Sequence, residues 1–300
     1  AQALGFHQAH TLQLEGGIQA GSPQIARIRR DFVQALKEHI VVILGPAMPE
    51  LQLLSNGSYH VLATVCGHGF SSWETLAVTR WRADATLDPG GTRLYLQYDA
   101  AATSGSTRVL RNILPTGSTG HDFGDGRAIL WWRDEGVEVG SELAVSTDDP
   151  VELRRVIIIN HGQTRLSFSA TSYAEIVLSP STTDSAHPAF SKLFVETEID
   201  PTLQAILATR RPSTSADPTP WLFHAALTSG AAAGIPSFET DRMRFIGRGR
   251  DARDPQAMDY GTALSGTVGP VLDAVAAIRV PFVLEPGASI TIDWLTGIAS

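Results

Sequence analysis

The sequence predicts an all-β protein, a large antiparallel β-sandwich that one amphipathic helix precedes. More than ten short apolar or alternating runs recur from about residue 51 onward, and Gly, Pro, Asn, Asp and Ser separate them. Such runs between turn residues are typical of β-strands. Only one long segment has helical periodicity, and no repeat of fixed period is visible, which argues against a propeller or a solenoid.

The helix is predicted over residues 23–39. Ser22 and Pro23 give a helix start signal. The apolar positions that follow have helical spacing and share one face: Ile25, Ile28, Phe32, Leu36 and Ile40. We therefore divide the chain into a connector, residues 1–44, and a β-domain, residues 45–300.

Two strand patterns predict how the β-domain is layered. In "RLSFSATSYAEIVLS", residues 165–179, apolar and small residues alternate with Ser, Thr and Tyr, which predicts a strand with one wetter side. "RRVIIIN", residues 154–160, has the apolar run of a strand buried on both faces. The other predicted strands are SYHVLATVC, TLAVTRWRA, TRLYLQYD, AILWWRD, GSELAVS, KLFVETEI, QAILATRR, WLFHAALT, AAIRVPFVL and SITIDWLTG.

Composition narrows the classes of partner and compartment. The formal net charge is -8, which argues against nucleic acid and anionic membrane surfaces as partners. Cys66 is the only cysteine, so neither an intrachain disulfide nor a cysteine-based metal site is predicted. No apolar run approaches a membrane span, and the N-terminus lacks signal-peptide regions. We expect a soluble chain without cofactor or metal, and its compartment stays open.

The segment "SFETDRMRFIGRGRDARDPQAM", residues 237–258, places five arginines within twelve positions. Acidic residues are interleaved with them, which favours a loop held by its own ion pairs over a polyanion site. The alternative is a surface that meets another domain, a partner subunit or a glucan. The residues predicted to anchor the loop or form the interface are Asp241, Arg242, Arg248 and Arg250.

Catalytic signatures are missing from the sequence. It has no phosphate loop, nucleophile elbow, HExxH motif or dinucleotide fingerprint. His187 and His224 lie in or beside apolar strands, where a hydrogen-bonded core histidine is the commoner role. We assign no catalytic residue.

Tryptophans near charged side chains indicate a carbohydrate site. An aromatic face packs on a sugar ring while charged or amide groups bind its hydroxyls. The alternative is that Trp81 belongs to the core and its neighbouring arginines pair with local acids. The predicted sugar-contacting residues are Asn56, Trp73, Arg80, Trp81, Arg82 and Asp84.

Seven strings, in order from about residue 45 to the end, carry a family resemblance. They are "LQLLSNGSYHVLATVCGHGFSSWETLAVTRWRADATLDPGGTRLYL", "VELRRVIIINHG", "TSYAEIVLSP", "AHPAFSKLFVETE", "PTPWLFH", "SFETDRMRFIGRGR" and "LSGTVGPVLDAVAAIR". The chain resembles the N-terminal β-sandwich of glycoside phosphorylases of family 94, formerly glycosyltransferase family 36. It is most similar to the phosphorylase-like region of bacterial cyclic β-1,2-glucan synthases.

The resemblance implies a supersandwich of the galactose-mutarotase type. In such enzymes an α/α barrel follows the sandwich and carries the catalytic acid, and we expect this chain to lack that barrel. "AATSGSTRVLRNILPTGSTG" departs from the family's usual Trp-Ser and Gln-Pro segment, so a ligand contact there is in doubt.

Three functions follow as hypotheses. The first is a non-catalytic carbohydrate-binding or supporting domain that takes a β-glucan or another oligosaccharide. The second is a structural module that packs on a catalytic barrel or a partner subunit, with a homodimer in isolation. The third is a mutarotase-like epimerase, which requires a histidine acid and a carboxylate base in one cleft, and the sequence nominates no such pair.

Overall fold

The computed structural model describes residues 51–65, 67–81, 91–99, 107–111, 118–124, 126–134, 136–212, 219–259 and 263–299. The predicted helix over residues 23–39 lies outside these ranges, as do residues 1–44 of the predicted connector. Within them most residues belong to β-strands and the helices are few and short, which confirms the predicted all-β fold class.

Seventeen strands are formed in the described ranges. They are β1 Leu51–Ser55, β2 Tyr59–Thr64, β3 Gly69–Trp73, β4 Leu76–Thr79, β5 Arg93–Asp99, β6 Thr107–Arg111, β7 Ser118–Gly124, β8 Arg127–Asp134, β9 Val137–Val145, β10 Val151–Asn160, β11 Leu166–Ser179, β12 Val195–Asp200, β13 Ala205–Arg210, β14 Trp221–Gly230, β15 Ser237–Asp241, β16 Ala274–Leu284 and β17 Ser289–Ala299. The helices are short: α1 Ser181–Ala186, α2 Pro188–Lys192 and α3 Arg242–Ile246, with a 3-10 turn at Gln256–Met258.

The strands form two antiparallel sheets. The first sheet has the order β1-β2-β3-β4-β11-β16-β15, and β5 pairs with β11 and β6. The second sheet has the order β12-β13-β14-β17-β10-β9-β8-β7. The long strand β11 connects the first sheet, because β16 pairs along one side of it while β5 and β4 share the other.

The main core lies between the two sheets. Alternate residues of each strand point into it, since side chains along a strand alternate between faces. Trp132 of β8 and Trp294 of β17 are among its largest fully buried side chains. On β11 the face that begins with Leu166 and Phe168 packs into this core, in agreement with the sequence pattern.

A second, smaller core covers the outer face of the first sheet. Residues 242–259, which we call the cover segment, pack across this face. Phe245 contacts the rings of Tyr95 and Tyr173, with centroids 5.8 and 4.7 Å away. Thr171, Tyr173 and Glu175 on the second face of β11 are consequently buried. The prediction of a wetter side holds at the start of the strand, where Ser167 is exposed and Ser169 half-buried, and it is wrong from Thr171 on, because the polar groups there are covered and bonded within the chain.

Candidate functional site

Asn56 lies in the turn between β1 and β2, and its amide links the two sheets. The Nδ2 group donates to the carbonyl oxygens of Ser146 (2.8 Å) and Asp149 (2.9 Å), which follow β9. The Oδ1 atom accepts from the backbone N–H groups of Ser58 (3.1 Å) and Tyr59 (2.8 Å). The side chain thus has a structural role at this end of the sandwich, and its contact with a sugar stays a prediction.

The two predicted sugar platforms lie on opposite faces of the first sheet. Trp73 packs against the core between the sheets. Trp81 packs on Phe70, with ring centroids 5.9 Å apart, and Phe70 is three residues from Trp73 on the same strand and so points the other way. One sugar therefore cannot contact both rings. Arg82 and Asp84 lie outside the described residues, and their roles also stay predictions.

Arg80 follows β4 and is 4 % exposed. Its Nε and Nη2 groups donate to both carboxylate oxygens of Asp184 (2.8 and 2.9 Å), and Nη1 donates to Glu175 (2.8 Å). Asp273 lies 3.4 Å from the same Nη1. Because a bidentate pair with one acid and contacts with two others engage this guanidinium, its immediate role is to hold α1 and β16 against β11.

Two more cations complete what we call the ion network. Arg242 of α3 donates to Glu175 (2.7 Å), and Lys192 of α2 pairs with Asp273. The network therefore consists of three cations, Arg80, Lys192 and Arg242, and three carboxylates, Glu175, Asp184 and Asp273. Its formal charge is zero, which compensates charges that would be costly to bury alone.

The pKa values of the network carboxylates show how tightly the cations hold them. Burial by itself would raise the pKa of Glu175, but the charges and hydrogen bonds of Arg242 and Arg80 lower it to about 2. The pKa of Asp184 is also lowered, because the hydrogen bonds and charge of Arg80 outweigh the effect of burial. Both groups are therefore ionised at neutral pH, so neither is a proton donor for an acid-base step there.

The predicted loop-anchoring residues lie at the start and in the middle of the cover segment. Asp241 caps α3, since its Oδ1 accepts from the backbone N–H of Met243 (2.8 Å). Arg242 belongs to the ion network, and Arg250 pairs with Asp259 (2.7 Å). Arg248 is exposed. Local ion pairs are thus abundant in the arginine-rich segment, in line with the interpretation that it holds itself together.

Side chains of the first sheet also clamp the cover segment by its backbone. Tyr95 donates its hydroxyl to the carbonyl of Ala252 (2.7 Å), and Gln97 Nε2 donates to that of Met258 (2.9 Å). Arg279 Nη2 donates to the carbonyl of Ala257. Because side-chain donors meet backbone acceptors here, the part of the outer face formed by β5, β11 and β16 is closed over rather than open to a ligand.

Exposed apolar side chains surround the ion network. Phe190, Met243 and Leu272 are 64 %, 62 % and 76 % exposed, and each lies within two residues of Lys192, Arg242 or Asp273. These network residues contact one another, so the segments that carry the apolar side chains are neighbours in space. The surface continues to Phe194, whose ring has the guanidinium groups of Arg210 and Arg211 at 5.3 and 5.7 Å.

We call this surface the end patch; it consists of Phe190, Leu193, Phe194, Arg211, Met243 and Leu272. Aromatic, methionine and arginine side chains are enriched in protein interfaces. The buried ions beneath the patch hold three short segments in fixed positions. The end patch therefore has the composition of a protein interface and lies beside a buried ion network.

Two histidines singled out in the sequence, His187 and His224, have different environments, and a third, His161, lies on the surface. His224 is buried between Ser172 Oγ (2.8 Å) and Thr296 Oγ1 (2.9 Å), as expected for a core histidine. Burial, and then the charge of Arg154, lower its pKa to about 4. His187 is exposed between α1 and α2, so the prediction that it is a core histidine in or beside an apolar strand is wrong. His161 pairs with Glu138 (2.9 Å) on the surface.

The described part of the chain shows neither a cluster of metal-ligating side chains nor a helix fit to span a membrane. No group of three or more histidine, cysteine or carboxylate side chains converges there as a metal site would require. None of the helices in that part has the length and apolar content of a membrane span.

The sequence analysis missed the end patch and four members of the ion network. Glu175 is the exception to the polar, uncharged pattern of its strand face, and this is the one signal that pointed to a buried ion pair. Asp184 and Lys192 belong to short helices that no periodicity reveals, because five or six residues are too few to show a repeat.

The chain is similar to a known protein family along most of its length. Residues 41–300 match the family described as glycosyl hydrolase 94, supersandwich domain. The chain is 34% identical over 247 residues to the cyclic β-(1,2)-glucan synthase NdvB of Rhizobium meliloti strain 1021. That alignment covers 82% of this chain but 9% of the relative, so the chain spans a small part of its length.

Solved structures with similar architecture are distant in sequence. A protein of Synechocystis sp. PCC 6803 is 11% identical, with a TM-score of 0.47, over 85% of this chain and 98% of that one. The GH36 α-galactosidase AgaA of Geobacillus stearothermophilus is 11% identical, with a TM-score of 0.40, over 84% of this chain and 41% of that one.

Proposed function

Because this chain belongs to the glycosyl hydrolase 94 supersandwich domain family, we propose that it is a supporting domain of a larger β-glucan synthase or phosphorylase-type protein. In this role it docks through the end patch onto a catalytic α/α-barrel domain of that protein. The observation that carries the proposal is the end patch itself, an exposed apolar surface fixed by a buried ion network.

The proposal agrees with what the described part of the chain offers chemically. The network carboxylates are engaged by three cations, and the cover segment closes the outer face of the first sheet over β5, β11 and β16. A contiguous exposed apolar surface with arginine at its margin favours protein association over catalysis. The relative's length leaves room for a barrel, since this chain corresponds to 9% of it.

The test is binding to a separately produced family 94 barrel domain. We expect saturable binding, and the double variant Phe190→Asp/Leu272→Asp weakens it by about a hundredfold, because charged groups in an apolar interface lose both contacts and solvation. The matched control is Ile235→Asp, since Ile235 is 91 % exposed away from the end patch. Absence of binding, or equal weakening by the control, would overturn the docking role.

Carbohydrate recognition is the second candidate. It is supported by the partly exposed Trp81, which stacks beside Phe70 on the outer side of the first sheet; the predicted contacts Arg82 and Asp84 follow Trp81 in the sequence. In this role Trp81 packs on a pyranose face. Calorimetric titration with linear β-1,2-glucan is expected to saturate, and Trp81→Ala to abolish the signal. The control Trp221→Ala retains it, whereas a flat titration of the folded wild-type chain excludes this candidate.

A further inference from the structure

The outer face of the second sheet is apolar for a surface. On its strands the residues that alternate with the core positions point outward, and within the described part of the chain most of them are only partly buried. An antiparallel sheet that faces water normally carries polar residues on that side. This face instead carries a set of large apolar side chains: Trp131, Leu153, Ile157, Phe223, Leu227 and Leu295. It therefore has the composition of an interface.

Glycines make the face flat. The indole of Trp131 lies over Gly120, where a Cβ atom would come within 2.3 Å of it. The ring of Phe223 likewise lies over Gly297, where a Cβ atom would come within 2.7 Å. Because both rings lie along the sheet and do not stand up from it, the face is level enough to receive a second sheet.

Two paired strands near the middle of this face carry opposite patterns. The outward residues of β10 are large or positively charged, whereas their partners on β9 are small or negatively charged. The pairs are Leu153 with Ala144, Arg155 with Glu142, and Ile157 with Gly140. When two copies meet face to face, a twofold axis parallel to the strands and between β9 and β10 places each of these strands opposite the other. Large side chains then face small ones and cations face carboxylates, so the face is complementary to itself.

We propose that the outer face of the second sheet is the interface of a homodimer, in which two copies pack face to face around this axis. Arg155 of each copy donates to Glu142 of the second copy. The bidentate pair with Asp293, whose two hydrogen bonds are 2.8 Å long, engages only Nε and Nη2 of Arg155. A guanidinium has further N–H donors, so Arg155 can bind both carboxylates. Ile157 of each copy fills the space that Gly140 leaves in the other.

The size of the face suits a stable dimer. With the axis between β9 and β10, the strands β14, β17, β10, β9, β8 and β7 of each copy overlap. These strands together are about 29 Å wide and about 25 Å long, which gives about 700 Å² on each copy. Specific interfaces bury about 800 Å² on each partner, with a spread of about 200 Å². Sheets that pack face to face cross at about 30°, so the contact is closest near the axis.

The parts of the molecule outside the overlap agree with this arrangement. The edge strand β12 carries Glu196, Glu198 and Asp200, and it lies beyond β14 in the sheet, so its acidic side chains stay in water. Phe194 and Arg211 of the end patch flank β12 and β13. The dimer therefore leaves the end patch accessible to another domain.

Sedimentation velocity of the full chain over a range of concentrations tests the proposal. We expect a dimer whose dissociation constant is about micromolar or lower. Arg155→Glu and Glu142→Arg are each expected to raise this constant at least about a hundredfold, because each variant places like charges opposite one another. An equimolar mixture of the two variants is expected to dimerise within about tenfold of the wild type, since opposite charges then meet again.

Arg165→Glu is the matched control for the change of charge. Arg165 forms an exposed ion pair with Glu285 at one end of the first sheet, away from the proposed interface. We expect the dissociation constant of this variant to equal that of the wild type. Circular dichroism checks that every variant is folded.

Three results would overturn the proposal. The first is a wild-type chain that stays monomeric up to about 100 μM, which leaves the face to another domain or to another segment of the protein. The second is a dimer that Phe190→Asp/Leu272→Asp disrupts but Arg155→Glu does not, which places the interface at the end patch. The third is a mixture of the two charge variants that stays as monomeric as either variant alone, which shows that their charges do not meet across a twofold axis.

Discussion

The two outer faces of this sandwich are built from alternating strands of similar length, yet they carry opposite chemistry. The first sheet turns Gln97, Thr171, Glu175 and Arg279 outward, and the cover segment buries and bonds them. The second sheet turns Ile157, Phe223 and Leu295 outward and leaves them partly exposed. Burial and polarity are thus uncoupled at the surface: polar groups are buried where the chain itself can bond them.

The difference separates two ways in which a domain is stabilised. The covered face stabilises the described part of the chain through aromatic contacts, side-chain hydrogen bonds to the cover segment and the ion network. The open face contributes little to folding until something packs on it, because exposed apolar area gains no transfer free energy. Substitutions on the two faces should therefore differ in their effect on stability, and the predictions below begin with the largest difference.

Phe245→Ala is expected to show the largest effect. Phe245 belongs to the cover segment and is fully buried against the first sheet, so its truncation lowers the free energy of unfolding by about 3–5 kcal/mol. Leu227→Ala is the counterpart on the open face and costs less than about 1 kcal/mol, since Leu227 is 52 % exposed. Equilibrium unfolding in urea measures both, and equal losses would contradict the distinction between the faces.

Glu175→Gln tests the same difference in stability between the two faces for a charged group. Removing the carboxylate from the network leaves Arg80 and Arg242 partly uncompensated in a buried position, which costs about 3 kcal/mol. The matched control is Glu142→Gln, since Glu142 pairs with Arg127 in an exposed ion pair on the second sheet. There we expect a loss below about 1 kcal/mol. A control as costly as the buried variant would show that burial is not the deciding factor.

Acidification is expected to destabilise the fold through His224, which is buried between the two sheets. The pKa of His224 is lowered to about 4, so in the folded state it stays neutral while the unfolded chain binds a proton below about pH 6.5. The contribution of neutral His224 to the free energy of unfolding is complete above pH 6.5, and it is lost as the pH falls toward 4. Of the stability lost between pH 7.5 and 4.5, His224 is expected to account for about 2–3 kcal/mol, and His68, whose pKa burial lowers to about 3, adds a loss of its own over the same interval.

Urea titrations at the two pH values measure this loss, with His224→Gln as the comparison. The variant has no proton to bind, so its loss over the same interval should be smaller by about the same amount. Ionised network carboxylates with lowered pKa values, such as Glu175, add a further loss only below about pH 4.5. An identical pH dependence in the variant would remove His224 as the cause.

The strands were largely predictable from the sequence, whereas the covered face was not. Twelve predicted runs correspond to strands, including the long β11 and the central β17, because alternation is a local property. The strands that were missed, such as β1 and β3, are short and rich in Ser, Gln or Gly. The burial of Thr171 and Glu175 depends on a segment some 70 residues further along, and no local pattern encodes it.

The candidate site was predicted only in part. Asp241, Arg242 and Arg250 were nominated as anchors, and their contacts in the structure are those of anchors. Arg80 was nominated for its place beside Trp81, but its partners Asp184 and Asp273 follow it by about 100 and 190 residues. The sequence around Arg80 indicates a charged contact, but the tertiary fold determines which carboxylates Arg80 binds.

The position of β17 determines when during translation the second sheet can be completed. This strand, Ser289–Ala299, lies in the middle of the second sheet, between β14 and β10, with its partners some 70 and 140 residues earlier. During translation the two halves of that sheet have no common neighbour until these residues leave the ribosome. Until then β10 and β14 present unpaired edges, and such edges invite association with other chains. The synthesis of β17 is thus the step that allows the second sheet to close, and a nascent chain stalled before residue 289 is the form that chaperones must protect.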